Sequence, residues 1–520
     1  MKKEFFTGRK VLVMGLGRFG GGVDVAKFAA KAGAKVMVTD LASQEQLSDS
    51  ISQLKEFSRL RLGPSPRRAD IEFHLGSHNA IDFEQADIIV VNPAVPGDNE
   101  FLKLARRSNK LITSQINIFF EFCPAQIIGI TGANGKSTTA ALTAHLLRSA
   151  SGERRATGDE SVIASEAKQS QITSIEHRLS AVASAKAEAS SIEHVWLSGN
   201  IGNEPLLTRL DQIAPVHLVV LELSSFQIEQ LAHIRKAPKV ALLTNLTPNH
   251  LDRYGTFEDY CAAKEGIFRF QKLDDKFPAV SIFNAEDKVS SEWYDKYKND
   301  AGRLCITFSA DDIGEQLRRY FALPGRANLS NLAGAMAVAR HFGIDDDRIR
   351  ACLPQFKALP HRLELVAKIK GVSWYNDSKA TTPESAIAAL EAFEQPMIII
   401  AGGYDKKIPL DEFGGKIAKN AKAAILLGQT AEQIASAIRN ARMSLRAKRS
   451  NLNKQDTRYE IRDTKIEFVN SLAEAVELAN RLADGGDVVL LSPACASYDM
   501  FENFQDRGRQ FVGLVHKISG

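Results

Sequence analysis

The chain has 520 residues, 44% of them hydrophobic and 25% charged, enough apolar material for several cores, which excludes a chain disordered throughout. A net charge of only +4 excludes a general polyanion binder, so no nucleic-acid partner is expected. Five scattered cysteines without a CxxC pair suit a reducing cytoplasm, and without a signal peptide or a ~20-residue apolar run neither export nor membrane insertion is expected.

The first elements alternate short apolar runs with helical periodicity. VLVMG (11–15) is continuous rather than alternating, which predicts a strand buried on both faces. A glycine turn, GLGRFG (15–20), leads into the helical VDVAKFAAKAG, and a second strand, AKVMVTD, ends at Asp40. ADIIVVNPAVP reads as a further buried strand running into a Pro-rich loop. This is the rhythm of βαβ units on a parallel sheet. GLGRFG matches GxGxxG, with Asp40 following, and on its own would predict a nicotinamide-dependent oxidoreductase. The same turn can hold another diphosphate-linked nucleotide, with Asp40 accepting from a ribose or a base. No hydride-transfer chemistry follows downstream.

The second block opens with AQIIGITGANGKSTTAALTAHLL: an apolar strand, a glycine-rich loop and an Ala/Leu-rich helix. Backbone N–H groups of such a loop, with the helix dipole behind them, cradle phosphates. Gly132, Asn134 and Gly135 would form the cradle and Lys136 would reach the β- and γ-phosphates. The hydroxyl of Ser137 or Thr138 would ligate Mg²⁺. Ile130 stands where the usual GxxxxGK[ST] has its first glycine, so the spacing is the shorter GxxGKS. ATP or GTP binding is expected. Glu222 closes the apolar run of HLVVLELSS, where a carboxylate at a strand end can serve a metal. His250 follows KVALLTNL closely, and Lys264 lies on the helical stretch after it.

A third block repeats the logic through VSWYNDS, PMIIIAGG, AAILLG and DVVLLSPA. The expected fold class is therefore α/β, with three domains in series. These are a Rossmann-like domain over 1–115, a central P-loop ATPase-like domain with a mainly parallel sheet over 116–358, and a Rossmann-like domain over 359–520. Two stretches break the rhythm and read as loop insertions: 151–194, with the tetrapeptide SIEH twice, and 442–462. The second holds seven Lys/Arg against two Asp/Glu, so it alone accounts for the positive balance.

In order along the chain stand TGANGKSTT, SGNIG, ELSSFQ, TNLTPNHLDRY with AAK, LPGRAN, PHRLE, NDSKATTPES, GGYDKK and LSPACASYDMFENFQDRG. Together, and over nearly the whole chain, they resemble the Mur ligases of peptidoglycan precursor synthesis. The NDSKAT and SPACAS blocks resemble the D-glutamate-adding branch. The resemblance implies an enzyme in which ATP phosphorylates the carboxylate of UDP-N-acetylmuramoyl-L-alanine and the amine of D-glutamate displaces the phosphate. Site residues carry over one by one. Lys136 holds the γ-phosphate, Ser137 and Glu222 ligate one Mg²⁺, and His250 belongs to a second Mg²⁺ site. Lys264 matches a lysine that the family carbamylates. Asn328, Arg362 and Asp377 hold adenine, phosphates and ribose across a domain boundary. Thr381, Lys406, Ser497, Tyr498 and Phe504 surround D-glutamate, while Gly15, Leu16, Gly17, Asp40 and Asn200 face the UDP-sugar. The resemblance also implies a cytoplasmic monomer. Tyr498 departs from the smaller aliphatic residue expected there, and Leu41–Ala42 lack the polar side chains expected after Asp40. Other ligases of the superfamily, differing in the amino acid added, are the alternative within the same chemistry.

Overall fold

Continuous apolar runs become buried parallel strands, and the glycine-rich turns follow where those strands end. The computed structural model of the chain describes residues 3–17, 20–59, 70–149, 192–199, 205–450 and 464–519. Three sheets follow one another along the sequence. The first has the order β3-β2-β1-β4-β5, with β1 Lys10–Met14, β2 Lys35–Asp40, β3 Ile71–Leu75, β4 Ile88–Val91 and β5 Leu111–Thr113. The second has the order β11-β10-β9-β6-β8-β7, with β6 Gln126–Thr131, β7 Val195–Gly199, β8 Leu218–Glu222, β9 Val240–Leu243, β10 Ala279–Asn284 and β11 Arg303–Phe308. The third has the order β12-β13-β17-β14-β15-β16, with β12 Glu364–Ile369, β13 Val372–Asn376, β14 Met397–Ala401, β15 Ala421–Leu426, β16 Lys465–Phe468 and β17 Val488–Leu491.

The pairings of these strands are parallel, except that β12 meets β13 in antiparallel register. Parallel sheets need cover on both faces. Along β1, Val11 and Val13 therefore join one apolar cluster while Leu12 and Met14 join another, with Phe83 and Leu102. β1 lies between β2 and β4, and β6 lies between β8 and β9. Each is a point where strand order reverses, and the crevice beyond its carboxyl end is where open α/β sheets bind ligands.

Contacts divide the chain into two compact units: Met1–Asp312 with Asn331–Cys352, and Ile313–Ser330 with Leu353–Gly520. The first holds two sheets, so the boundary expected at 115/116 is not a gap in packing. The helix Gln115–Phe122 starts there, and its Ile116, Ile118, Phe119 and Phe120 share one apolar cluster with Val11 of β1 and Val219 of β8. The buried Asp24 adds a polar tie within this unit, accepting from Leu207 N at 3.0 Å, Thr208 N at 2.9 Å and Gln115 Nε2 at 2.9 Å. A buried carboxylate is tolerated only with such partners. The second unit takes in Ile313–Ser330 as well, upstream of the boundary expected at 358/359.

Of the stretch 151–194, residues 151–191 lie outside the described residues. The stretch 442–462 does not begin as a loop: the helix Ala431–Ser450 runs on through its first residues, and Arg442 Nη1 donates to Thr464 O at 3.3 Å. Arg, Met, Leu, Ala and Lys are good helix formers, so nothing local ends the helix at 442. Residues 451–462 lie outside the described residues. Among the described residues, no helix is long and apolar enough to cross a membrane.

Candidate functional site

The loop after β6 is shaped by its neighbours across the sheet. The helix Lys136–Arg148 starts at Gly135, whose φ of 79° is left-handed. A Cβ on Gly135 would stand 2.1 Å from Asn331 Oδ1, and one on Gly132 would stand 1.9 Å from Thr244 Oγ1. Only glycine fits at either place. Residues just past β9 bind the intervening backbone. Ala133 N donates to Asn245 O at 2.8 Å, and Asn134 N donates to Asn245 Oδ1 at 2.9 Å. Asn134 O accepts from Thr244 Oγ1 at 2.6 Å and from Asn245 Nδ2 at 3.1 Å. Thr139 Oγ1 donates to Asn331 Oδ1 at 3.2 Å from the helix behind. The cradle is thus a preformed shape, with the N-terminus of a helix at its base.

Several polar side chains converge beside it. Lys136 Nζ folds back onto Ala133 O at 2.7 Å. Ser137 and Glu222, 1% and 2% exposed, meet through a short hydrogen bond of 2.5 Å from Oγ to Oε2. Thr138 is buried beside them in sequence. Lys264, on the helix Phe257–Arg269, is 2% exposed and donates to Thr131 Oγ1 at 3.0 Å. Thr131 in turn donates to Leu223 O at 2.8 Å. Burial, and then the positive charge of Lys136, hold the Lys264 amine well below the ordinary lysine range; Glu222 opposes them only in part. Lys264 Nζ also lies 5.1 Å from the centre of the Tyr260 ring. His250 caps the short helix Leu251–Tyr254 at φ 53°, a left-handed conformation rare for a side chain of its size. Its ring stands 5.1 Å from Phe226 and 6.3 Å from Tyr260. The buried Ser137, Glu222 and Lys264 are therefore brought together beside the half-buried Lys136, with His250 joined to Lys264 through Tyr260.

At the first sheet, Asp40 spends both oxygens on backbone. Leu16 N donates to Oδ2 at 2.7 Å and Ala42 N donates to Oδ1 at 2.9 Å. Its carboxylate therefore fixes the glycine turn to the loop after β2, whatever else it meets with its remaining lone pairs. Asn92, just past β4, donates to Gly15 O at 3.3 Å and lies against both Gly15 and Gly17. Leu41 stands 67% exposed at this rim. Asn200 lies outside the described residues, as do Arg18 and Phe19 of the GxGxxG turn.

In the second unit, β13, β17 and β14 are neighbours, so the NDSKAT, SPACAS and GGYDKK loops leave one edge side by side. Arg507, 2% exposed, knits two of them. Its guanidinium donates to Ser378 Oγ at 3.0 Å, Ser378 O at 2.9 Å and Cys495 O at 3.2 Å. The third is joined by Tyr404 N, which donates to Ala496 O at 2.9 Å. Lys406 Nζ reaches Thr381 O at 3.4 Å, and burial lowers its amine below the ordinary range. A recess there is lined by Tyr404, Lys406, Leu410, Thr430, Ala494 and Cys495. Ser497 is buried beneath, whereas Tyr498 is 64% exposed and meets Tyr404 edge to face at 6.3 Å. The Phe504 ring carries Lys379 Nζ at 4.7 Å, and Asn328 Nδ2 donates to Pro324 O at 2.7 Å. Arg362 sits between two left-handed residues, His361 at φ 64° and Leu363 at φ 44°.

Asp377 accepts from Leu363 N at 3.2 Å and from Ser492 Oγ at 2.9 Å. Burial outweighs those bonds and pushes its carboxyl up to about 7 from the usual 3.8. The folded chain thus holds a proton there that the unfolded chain has released, and stability from this group is lost as pH rises from about 4 to about 7. Replacing Asp377 by Asn removes that dependence. We predict that the melting temperature of Asp377→Asn minus that of the wild type climbs across this interval and levels off above it. A flat difference would show that Asp377 ionises normally.

Sequence reasoning missed Thr131, Thr244, Asn245, Asn331, Tyr260 and Arg507 as parts of these sites. Arg507 carried one signal, a cation inside the FENFQDRG block. Thr244 and Asn245 act on the loop only because sheet order places β9 beside β6, whereas Tyr260 and Asn331 are brought in by the helices Phe257–Arg269 and Arg326–His341.

Residues 130–339 match the family profile of the Mur ligase middle domain, and residues 361–495 match that of the Mur ligase glutamate ligase domain. The chain is 34% identical to the UDP-N-acetylmuramoylalanine–D-glutamate ligase of Roseiflexus sp. strain RS-1, over 99% of each chain. It is 32% identical to the protein of the same name from Acetivibrio thermocellus, over 99% of this chain and 98% of that one. Among solved structures, the UDP-N-acetylmuramate–alanine ligase of Thermotoga maritima shares the fold with a TM-score of 0.53 and 18% identity, over 98% of this chain and 100% of that one. With relatives this similar along its full length, the chain belongs to the Mur ligase family.

Proposed function

We propose that this chain joins D-glutamate to the L-alanine carboxylate of UDP-N-acetylmuramoyl-L-alanine at the expense of ATP. The observation that carries the chemistry is the buried group formed by Ser137, Glu222 and Lys264 beside the Gly132–Gly135 cradle. The choice of amino acid rests on the names of the two relatives reported above. A carboxylate at neutral pH is a poor electrophile. Transfer of the γ-phosphoryl group from ATP to it creates an acyl phosphate and releases ADP; the neutral D-glutamate amine attacks that carbonyl carbon, loses a proton, and inorganic phosphate leaves. The protein's part is to hold the reactants in line and neutralise their charge.

The amides at the start of the helix Lys136–Arg148 and the Lys136 side chain take the phosphates. Ser137 Oγ and Glu222 Oε2 form a hard-oxygen pair suited to Mg²⁺. When bound, the metal supplies charge neutralisation on the phosphates, and the second Mg²⁺ is assigned to His250 and Lys264. A lysine whose amine is shifted toward the neutral form can add to CO₂, forming the N–C bond and losing one proton, and so become an anionic oxygen donor. The lowered Lys264 amine fits that reading. Asn328, Arg362 and Asp377 are assigned to the nucleotide, and Thr381, Lys406, Ser497, Tyr498 and Phe504 to D-glutamate. The glycine turn at Gly15–Gly17, with Asp40 and Asn200, is assigned to the UDP-sugar. The same reading makes the protein a cytoplasmic monomer.

Phosphate release with ATP, Mg²⁺ and UDP-N-acetylmuramoyl-L-alanine, measured across a panel of amino acids, tests the assignment. Release with D-glutamate alone is expected; release with L-alanine or a diamino acid instead would move the chain to another branch. Lys264→Ala should abolish turnover, and formate or acetate should restore part of it by replacing the lost carboxylate. Full turnover of that variant without added anion would remove Lys264 from the metal site.

A further inference from the structure

Arg253 joins features that the mechanism treats separately. It lies in the short helix Leu251–Tyr254, directly after the left-handed His250. Its Nη1 donates to Pro93 O at 3.1 Å, in the loop that follows β4 of the first sheet. Its Nη2 pairs with Glu229 Oε2 at 3.2 Å, on the helix Ser225–His233 that starts just beyond Glu222. Its guanidinium carbon sits 4.0 Å from the centre of the Phe226 ring.

Each contact leads to a site. Pro93 follows Asn92, whose side chain holds Gly15 O and crowds the glycine turn. Phe226 stands 5.1 Å from the His250 ring and stacks on Tyr254 at 6.0 Å. The Tyr254 hydroxyl donates to the same Glu229 oxygen at 3.2 Å. One planar cation therefore ties the turn of the first sheet to the backbone that carries His250 and to the helix following Glu222. A left-handed His is strained and persists only where its surroundings fix it. Arg suits the task because its fork donates in two directions while its face stacks on a ring, which Lys cannot match.

We propose that Arg253 is a positioning residue that sets the span between the amino-terminal glycine turn and the wall formed by the cradle, His250 and Lys264. It thereby fixes how far a carboxylate carried by a nucleotide at that turn reaches toward the transferred phosphate. The inference rests on the functional reading above, which makes the turn the nucleotide-sugar site. A displacement of about 1 Å of a reacting group can cost on the order of 100-fold in rate.

Steady-state kinetics of the full-length wild type, Arg253→Ala and Arg253→Lys test it, with ATP affinity measured by calorimetry and folding checked by thermal melting. Arg253→Ala should lose about 30- to 100-fold in kcat/KM for the UDP-linked substrate, while KM for D-glutamate and the ATP dissociation constant stay within about threefold. Arg253→Lys should recover part of the loss, and it serves as the readout if the alanine variant does not fold. A purely structural residue would reduce the active fraction, counted by the stoichiometry of the ATP titration, and leave all three constants unshifted once they are expressed per active enzyme. That pattern, a KM for D-glutamate or an ATP dissociation constant raised tenfold or more, or no loss in an active wild-type background would overturn the proposal. A wild type that releases no phosphate with D-glutamate would instead overturn the functional reading beneath it.

Discussion

The structure of the site depends on the grip that Thr244 and Asn245 take on the loop after β6. A backbone turn beside a buried helix start must satisfy its N–H and C=O groups somewhere. Here Asn134 gives both of its main-chain groups to Asn245, and its carbonyl also takes the Thr244 hydroxyl. The backbone just ahead of the helix start is thus oriented by its neighbour across the sheet. The same constraint explains the glycines: with Thr244 and Asn331 so close, no side chain fits at 132 or 135. Sheet order enforces the grip, because β9 pairs directly with β6 and brings Thr244 to the level of the turn.

The chemistry follows from what this arrangement buries. Ser137 and Glu222 face each other at the ends of adjacent elements, and Lys264 enters from the helix Phe257–Arg269 onto Thr131 of β6 itself. Desolvation raises the cost of the charged ammonium, so the fold holds the Lys264 amine well below the ordinary lysine range. In the second unit the buried charge is of the other kind. Arg507 stays among carbonyls, with five-donor geometry spread over the loops after β13 and β17. Both units thus place a buried basic residue beside the carboxyl edge of a mainly parallel sheet, Lys264 on Thr131 of β6 and Arg507 among the loops after β13 and β17.

Much of this was legible in the sequence, for a physical reason. Strands such as VLVMG, QIIGIT and MIIIA are covered on both faces, so they are written as unbroken apolar runs. Strands with an exposed face, such as β12 and β16, show residues of mixed burial and give no such signal. Lys136, Ser137 and Glu222 were readable because each sits at a fixed offset from a buried strand. Asp40 was readable as a residue, but its two backbone partners were not, since they depend on how the turn after β1 closes. Thr244 and Asn245 were not readable, because their function exists only through the β6–β9 neighbourhood. The continuation of the helix Ala431–Ser450 past 442 was overlooked because a cluster of basic residues reads as a solvated loop, although the same residues form helix readily.

The central claim is that the phosphate cradle is preformed by its grip from β9, and removing Asn245 tests it most directly. Asn245→Ala deletes the side chain's two hydrogen bonds to Asn134, each worth about 1 kcal/mol. Calorimetric titration of the folded variant with ATP and Mg²⁺ should show affinity weakened by about tenfold or more. Affinity within about twofold of the wild type would contradict the account and place the cradle's order in the nucleotide instead.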